Sequence, residues 1–363
     1  MKNVVVTFGE IMGRLAAPDN LRLRQARDLE MTYAGAEASV AASICNFGGL
    51  ARFVTALPRH ALAEATMDSI RAVGIDTRHV LRTDRGRLGL YFLETGANQR
   101  PSNVIYDRED SAFAITPPDA YDWDGIFHDA RWLHLSGITP ALSKNAAEAT
   151  RVAAMQAQAA GVTVSIDLNY RGKLWKWDAG RTGRELAQAT MKTILPFVDL
   201  IIANEEDCQD VLGIRAGGTD VQAGILSASH YPDVARQVVK QFPNLAQVAI
   251  TLRESFSATH NNWGAMLYDV GSGQAVSAPL DSAGNYRPYE IKSIMDRVGG
   301  GDAFSGGLIF ALTTPELSDL QTAVTYAVAA SCLKHSIKGD FNYPPRQEVE
   351  ALMSGSASGR VIR

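Results

Sequence analysis

The sequence contains little cysteine. Its three cysteines, Cys45, Cys208 and Cys332, lie far apart and form no CxxC pair. This spacing argues against a zinc site and against a disulfide framework, and it is typical of proteins from a reducing compartment. Because each cysteine lies in an apolar segment with helical character, we interpret all of them as structural thiols.

Long apolar runs and a strong net charge are also absent. No segment has the roughly 20 apolar residues that a membrane-spanning helix requires, and the N-terminus has no signal-peptide features. The formal net charge of −4 gives no overall attraction to nucleic acid or to an anionic membrane. We expect a soluble, cytoplasmic protein without a nucleic-acid or membrane partner, in which any site for an anionic ligand is built locally.

Three frequent active-site motifs are missing as well. The chain has no GxxxxGK[ST], which excludes a P-loop enzyme, and no HExxH zinc motif. It has no GxGxxG after a predicted strand, which argues against a Rossmann dinucleotide site. A phosphate-binding site would therefore need a different glycine-rich segment.

Short apolar runs alternate with segments of helical period along most of the 363 residues. This alternation predicts an α/β fold with a mostly parallel central sheet and helices on both faces. The predicted strands are 4–8, 132–135, 162–166, 200–203 and 248–252, and the predicted helices are 36–47, 143–160, 181–195, 205–212 and 233–241. Three consecutive helices, predicted at 302–313, 319–335 and 345–353, argue against the alternative of a (βα)₈ barrel.

Two further segments predict a small β-sheet outside this core. Residues 12–34 are polar and strand-like, and 88–107 alternate in the manner of a β-hairpin. We expect 12–34 and 88–110 to form a lid over a cleft, with 1–11, 35–87 and 111–363 forming the core. An exposed lid sheet invites pairing, so we also expect a homo-oligomer. Residues 214–231, rich in Gly, Ser and Ala, predict an exposed insertion.

The strongest chemical signal is the stretch from Asp296 to Phe310. Gly299–Gly301 lead into a helix predicted to begin near Asp302. Free N–H groups at a helix start, approached through glycines, can bind a phosphoryl group. A carboxylate at the same point can accept a proton from an attacking hydroxyl. The alternative for this stretch alone is that Asp302 is an ordinary N-cap.

This stretch resembles the D-T-x-G-A-G-D-x-F signature of the PfkB (ribokinase-like) carbohydrate kinases. Three other segments carry the same resemblance. Gly35–Ala41 is similar to the family's G-G-x-x-x-N-V-A segment, Asn204-Glu205-Glu206 to its N-x-x-E motif, and Thr251-Leu252 to its T-L-G strand end. The resemblance implies a ribokinase-like fold with a β-sheet lid, and an ATP-dependent kinase that uses Mg²⁺.

Within the family, the segments around Tyr91, Tyr106–Arg108, Asp167–Arg171 and Lys338–Asn342 are most similar to 2-keto-3-deoxygluconate kinases. That likeness implies a sugar-acid site formed by Gly35, Ala36, Tyr91, Tyr106, Arg108, Arg171 and Asp302. The physical reason is that an arginine fork binds a carboxylate bidentately. The alternatives are that the arginines are solvated surface charges and that the tyrosines pack the lid.

For the nucleotide, the resemblance implies contacts from Asn204, Thr251, Arg253, Gly299, Gly301 and His335. Glu206 is expected to hold Mg²⁺ through water, since hard cations prefer oxygen ligands, although Asp207 fits the motif's last position equally well. Asp167 is expected to act as a strand-end cap or an arginine partner. A requirement for a monovalent cation such as K⁺ is left open.

Four departures from the family pattern stand out. Gly300 replaces alanine, which we expect to be sterically mild, and Arg297-Val298 replace the usual residues after Asp296. Ser39 replaces asparagine. Arg253 replaces glycine and is followed by what we expect to be a long loop to Trp263.

The expected reaction is the phosphorylation of the primary hydroxyl of 2-keto-3-deoxygluconate to its 6-phosphate. Asp302 would be the base and Gly299, Gly300 and Gly301 the anion hole. A kinase for a neutral sugar, fructose or ribose, and a catalytically inactive sugar-binding protein are the alternatives.

Overall fold

The computed structural model describes residues 3–214 and 231–355. In chain order its strands are β1 (Val4–Phe8), β2 (Met12–Ala16), β3 (Glu30–Ala34), β4 (Leu50–Val54), β5 (Ala56–Pro58), β6 (Leu81–Thr83), β7 (Leu90–Glu94), β8 (Asn103–Asp107), β9 (Ala130–Ser136), β10 (Thr163–Asp167), β11 (Leu200–Ala203), β12 (Gln247–Ser257), β13 (His260–Asp269), β14 (Ala275–Ala278) and β15 (Tyr289–Ile291). Its helices are α1 (Ala36–Asn46), α2 (Ala61–Ala72), α3 (Ala112–Ile115), α4 (Trp123–Phe127), α5 (Lys144–Ala159), α6 (Gly183–Ile194), α7 (Glu205–Leu212), α8 (Tyr231–Gln241), α9 (Gly300–Thr313), α10 (Leu320–Lys334) and α11 (Arg346–Met353). The insertion predicted at 214–231 lies, apart from its two end residues, outside the described residues.

A nine-stranded sheet forms the centre of the molecule, in the order β14-β13-β12-β11-β10-β9-β1-β4, with β15 paired to β13. The strands from β12 to β4 run parallel to their neighbours. Apolar side chains along one strand point alternately into two hydrophobic cores: Val4, Val6 and Phe8 into one, and Val5 into the other. Both faces of the sheet are therefore covered, as the near-continuous apolar runs predicted.

The helical predictions are confirmed, including the three consecutive helices α9, α10 and α11 that pack on one face. One boundary differs in a way that matters for chemistry. Helix α9 begins at Gly300, two residues before the predicted start, and its N-cap is Gly299. Asp302 is therefore the third residue of the helix, and the sheet is open rather than a closed barrel.

The predicted small sheet is also present, as a separate four-stranded sheet in the order β3-β2-β7-β8. Strands β7 and β8 form the expected hairpin. Strand β2 pairs in parallel with β7, which joins the two predicted segments into one sheet. Met12, Ala34, Tyr91 and Leu93 form its buried apolar side.

The expectation of a long loop between Arg253 and Trp263 is wrong. Strand β12 continues to Ser257 and pairs with β13 in antiparallel register, so these residues form a β-hairpin. This extension of β12 carries few apolar residues, and Phe256 is 59% exposed. An apolar run in the sequence therefore does not mark it as a strand. The tip of this hairpin reaches the small sheet, where the Ala258 N–H donates to the Asn98 carbonyl oxygen at 2.7 Å.

Among the helices in the described ranges, none has both the length and the apolar content needed to cross a membrane. Each of the three cysteines lies in a helix, as expected. Burial raises the pKa of the Cys45 thiol to about 11. That shift suits a structural role, because the thiolate is the reactive form.

Candidate active site

A cleft of about 550 Å³ lies between the carboxyl ends of the parallel strands and the small sheet. Open α/β sheets place their ligands at this edge. The lining comes from the loops after β1, β10 and β11, from the first turn of α9, and from the inner side of the small sheet. The cleft therefore joins the two parts of the molecule that the sequence predicted separately.

The glycine segment before α9 has a conformation that other residues would strain. Gly299 has φ +84°, and a Cβ there would lie 2.2 Å from the Asp340 carbonyl oxygen. Glycine therefore allows the chain to turn sharply into α9. The N–H groups of the first turn of a helix have no intrahelical acceptor, and Gly299, Gly300 and Gly301 line the cleft. This segment can bind an anion.

Asp302 projects from the same first turn, and it is not the N-cap that the alternative interpretation required. The capping position belongs to Gly299, which has no side chain to cap the helix. Among the described residues, no N–H or O–H group donates a hydrogen bond to the Asp302 carboxyl. Burial raises its pKa well above the usual range, and the nearby carboxyls of Asp167, Asp340 and Glu37 raise it further, while Arg171 lowers it. Asp302 is thus an uncommitted carboxyl with increased basicity.

Two more carboxyls lie beside Arg171. Asp167, the last residue of β10, accepts a hydrogen bond from the Asn169 N–H at 3.0 Å. Burial and the neighbouring Asp207 raise the pKa of Asp167 to about 7. Asp207 accepts from the Tyr170 N–H at 2.9 Å, and burial raises its pKa to about 6. Arg171 lowers the pKa of both, so the charges of these three side chains are coupled.

The residues predicted for the sugar acid, Gly35, Ala36, Tyr91, Tyr106, Arg108 and Arg171, all line the cleft. Arg108, however, is not a free cation. Its Nε donates to Glu10 Oε2 at 2.7 Å, its Nη2 donates to the same oxygen, and its guanidinium lies over the Tyr106 ring. Glu10 was missed by sequence reasoning because it is 98 residues from Arg108 in the chain.

A buried glutamate, Glu37, also lies in the cleft wall and was not predicted. Its Oε1 accepts hydrogen bonds from Ser136 at 2.7 Å and from Thr139 at 2.6 Å. Burial raises the pKa of Glu37. Its position in the Gly35–Ala41 segment was the signal that could have singled it out.

The small sheet is tied to the core through Arg14 of β2. Its guanidinium pairs with both Asp296 and Asp340, and its side chain is 2% exposed. The Tyr91 hydroxyl donates to Asp340 at 2.9 Å. Asp296 also accepts from the Val298 N–H at 3.0 Å, directly before the glycine segment. The position of the small sheet is therefore coupled to the anion-binding turn.

Of the residues predicted for the nucleotide, Asn204, Thr251, Arg253, Gly299 and Gly301 line the cleft, and His335 does not. The His335 ring is buried beneath Gly300, donates from Nδ1 to the Ser331 carbonyl oxygen at 2.7 Å, and packs on Trp263. A Cβ on Gly300 would lie 2.9 Å from His335 Cε1. The replacement of the family's alanine by Gly300 is therefore not sterically mild, because the His335 ring occupies the space that an alanine methyl group would take.

The acidic residues in the described ranges include no group of three or more that could hold a metal ion by themselves. Magnesium does not need such a group, since it usually keeps several waters and takes one or two carboxylates plus substrate phosphates. Glu206 is exposed and lines the cleft. Asp207 is committed to capping α7 together with Asn204, so Glu206 is the better fit of the two.

Comparison with known proteins places this cleft in a family. The model for the pfkB family carbohydrate kinases matches residues 2–344. The chain belongs to this family of carbohydrate kinases. The match extends from β1 to the segment after α10, so it includes both sheets.

Two relatives match over nearly the full length of this family member. A 2-dehydro-3-deoxygalactonokinase of Haloferax volcanii is 32% identical over 98% of both chains. The crystal structure of 2-dehydro-3-deoxygluconokinase from Thermotoga maritima is 43% identical, covers 97% of this chain and 100% of its own, and has a TM-score of 0.87. A fructokinase of Xylella fastidiosa solved with bound ATP is 21% identical over 99% of this chain and 100% of its own, with a TM-score of 0.75. At that identity the fructokinase supports the fold.

Proposed function

We propose that this carbohydrate kinase transfers the γ-phosphoryl group of ATP to the primary hydroxyl of 2-keto-3-deoxygluconate, giving the 6-phosphate. One observation carries the proposal. The carboxyl of Asp302, whose pKa is raised, lies beside the anion-binding glycine segment, in a cleft that Arg171 also lines. By their names, the relative from Haloferax volcanii and the protein from Thermotoga maritima act on the two C4 epimers of such an acid.

Asp302 is the base in this proposal. Its raised pKa makes it an effective acceptor for the hydroxyl proton, because a base must compete for that proton in the transition state. The first turn of α9 and Gly299–Gly301 stabilise the negative charge on the transferred phosphoryl group. Gly299–Gly301 directly precede Asp302 at the start of α9, and this proximity in one helix turn fixes the relative positions of base and anion hole.

Arg171 is the principal cation for the substrate carboxylate. Arg108 offers less, because Glu10 already accepts from its Nε and Nη2. Tyr106, Gly35 and Ala36 complete this side of the cleft. The Tyr91 hydroxyl donates its hydrogen bond to Asp340, so we assign Tyr91 a structural role in the wall of the cleft.

The nucleotide lies at the opposite end, against Asn204, Thr251, Arg253, Gly299 and Gly301. A fructokinase of the same fold was solved with bound ATP, and ATP is the donor in this proposal. Glu206 would hold Mg²⁺ through water, and the ion would neutralise charge on the phosphates. His335 supports the glycine segment from below and does not contact the nucleotide.

The small sheet, 12–34 and 88–110, is the lid. It covers the cleft and excludes water, which would otherwise hydrolyse ATP. Its outer strands also carry exposed apolar side chains, Met31 at 40% and Ile105 at 49%. We keep the prediction of a homo-oligomer and of a cytoplasmic location, where ATP is abundant.

A neutral-sugar kinase is the second candidate, and the Glu10–Arg108 pair favours it. With Arg108 neutralised, one cation remains at the sugar end, and a neutral sugar needs none. The catalytically inactive binding protein is less consistent with a free Asp302 beside an intact glycine segment.

A coupled ADP-release assay tests the proposal. The purified protein receives MgATP with 2-keto-3-deoxygluconate, 2-keto-3-deoxygalactonate, fructose or ribose. We expect turnover with the keto-deoxy acids and little with the neutral sugars. Turnover confined to fructose or ribose would establish the second candidate, and no turnover with any of them would favour a binding protein.

A further inference from the structure

Two arginines at the nucleotide end of the cleft have no acidic partner in the described ranges. Arg253 lies in the extension of β12, and Arg297 follows Asp296 directly before the glycine segment; both line the cleft. No carboxylate in the described part of the chain lies within 4 Å of either guanidinium. Of the other two arginines that line the cleft, Arg108 is paired with Glu10, and Arg171 is near enough to Asp167 and Asp207 to lower the pKa of both carboxyls.

The contacts of Arg297 leave part of its guanidinium unused. Its Nη2 donates to Asn261 Oδ1 at 2.8 Å. Its Nε is buried and has no acceptor among the described residues. A buried charged donor without an acceptor costs free energy, so such a group indicates a missing partner.

The two guanidiniums are also close enough to repel each other. Burial lowers the pKa of Arg297, and the positive charge of Arg253 lowers it further. Two like charges at one cleft wall are unfavourable unless an anion lies between them. Asn261 supplies an amide oxygen but no charge.

We infer that Arg253 and Arg297 form a binding site for a polyphosphate, the triphosphate chain of the nucleotide. The site is continuous with the anion-binding turn, since Arg297 is two residues before Gly299. Arginine forks suit phosphate oxygens because they donate two parallel hydrogen bonds. Both residues stand where the family pattern has other residue types. The inference rests on the proposed function for the identity of the ligand.

Isothermal titration calorimetry with inorganic tripolyphosphate and with MgATP, without sugar, tests the site. Each of Arg253→Met and Arg297→Met should weaken binding of both ligands by about tenfold or more, as expected for losing a charged hydrogen bond. Arg297→Lys should recover part of the affinity because it keeps the charge. Arg131→Met is the charge-matched control, because Arg131 is exposed and contacts the last residue of α9, at the end remote from the cleft.

Wild-type affinity for tripolyphosphate in both methionine variants would overturn the inference. So would an equal loss in the Arg131 control, which would indicate a general effect of net charge. If Arg297 acts only through its hydrogen bond to Asn261, Arg297→Met and Asn261→Ala would lower the melting temperature equally and leave affinity unchanged.

The failure of the inference can be told apart from the failure of the proposed function. Tight, arginine-dependent tripolyphosphate binding without sugar turnover would sustain the site and reject the kinase reaction. Turnover of a keto-deoxy acid with an unchanged KM for ATP in both variants would sustain the reaction and reject the site.

Discussion

The two ends of the cleft hold their arginines in different electrostatic surroundings. At the sugar end, Arg108 is paired with Glu10, and Arg171 lies beside Asp167 and Asp207. At the nucleotide end, neither Arg253 nor Arg297 has a described carboxylate within 4 Å of its guanidinium.

The difference matches the charges of the two ligands in the proposed reaction. A sugar acid carries one negative charge, and excess cations around it would lower the pKa of the base. The carboxyls near Arg171 have the opposite effect, since Asp167 raises the pKa of Asp302. A triphosphate carries several negative charges and needs uncompensated cations. In the proposed reaction, one cleft thus combines a basic carboxylate with a polyphosphate site.

Asp302→Asn is expected to have the largest effect on kcat, because it removes the proposed general base. Loss of a positioned general base lowers kcat by about 10²–10⁴-fold. Binding of MgATP and of sugar acid should persist, as measured by calorimetry. Retention of most of the wild-type kcat would remove Asp302 from the mechanism.

Arg14→Met should have the next largest effect, and Arg52→Met is its matched control. Both arginines are 2% exposed and bridge two aspartates. Removing Arg14 leaves Asp296 and Asp340 buried and unpaired, which costs about 3–5 kcal/mol of unfolding free energy. The partners of Arg52, Asp76 and Asp129, are 24% and 40% exposed, so its loss should cost less.

Urea unfolding and steady-state kinetics together make this comparison. Arg14→Met should also lower kcat, since Asp296 holds the Val298 N–H before the glycine segment. Asp129 directly precedes β9, away from the cleft, so Arg52→Met should leave kcat unchanged. Equal changes in both variants would mean that Arg14 only stabilises the fold.

Arg171→Met should affect the sugar end alone. Loss of a charge-assisted hydrogen bond raises the KM for the keto-deoxy acid by about 10- to 100-fold. The KM for ATP should stay near the wild-type value, the reverse of the pattern expected for Arg297→Met. A rise in both KM values would show that the two ends are not independent.

Asp167→Asn should have the smallest effect, a shift in the pH profile. Asp302 must be deprotonated to act as a base, so activity falls as the pH drops below its pKa. Because the charge of Asp167 raises the pKa of Asp302, its removal lowers that pKa. The acidic limb of kcat/KM should therefore move to lower pH. A shift to higher pH would contradict the assigned coupling.

The sequence predicted the elements of the fold well because helical and strand periods are local properties. The glycine segment, Asp302 and Arg171 were recognisable in the same way, since each lies in a short motif. The contacts between side chains could not be predicted in this way, because they join residues far apart in the chain. The Glu10–Arg108 pair joins residues 98 positions apart, and His335 reaches Gly300 from another helix. The β12–β13 hairpin was missed because pairing with a neighbouring strand, rather than an apolar run, defines it.

Identification of the product by NMR tests the central claim most directly. The protein is incubated with 2-keto-3-deoxygluconate and MgATP, and phosphorus and carbon spectra are recorded. The account predicts a phosphomonoester whose phosphorus couples to the terminal hydroxymethyl carbon, formed by wild type and not by Asp302→Asn. Phosphate on another oxygen, release of inorganic phosphate alone, or an equal yield from the variant would contradict it.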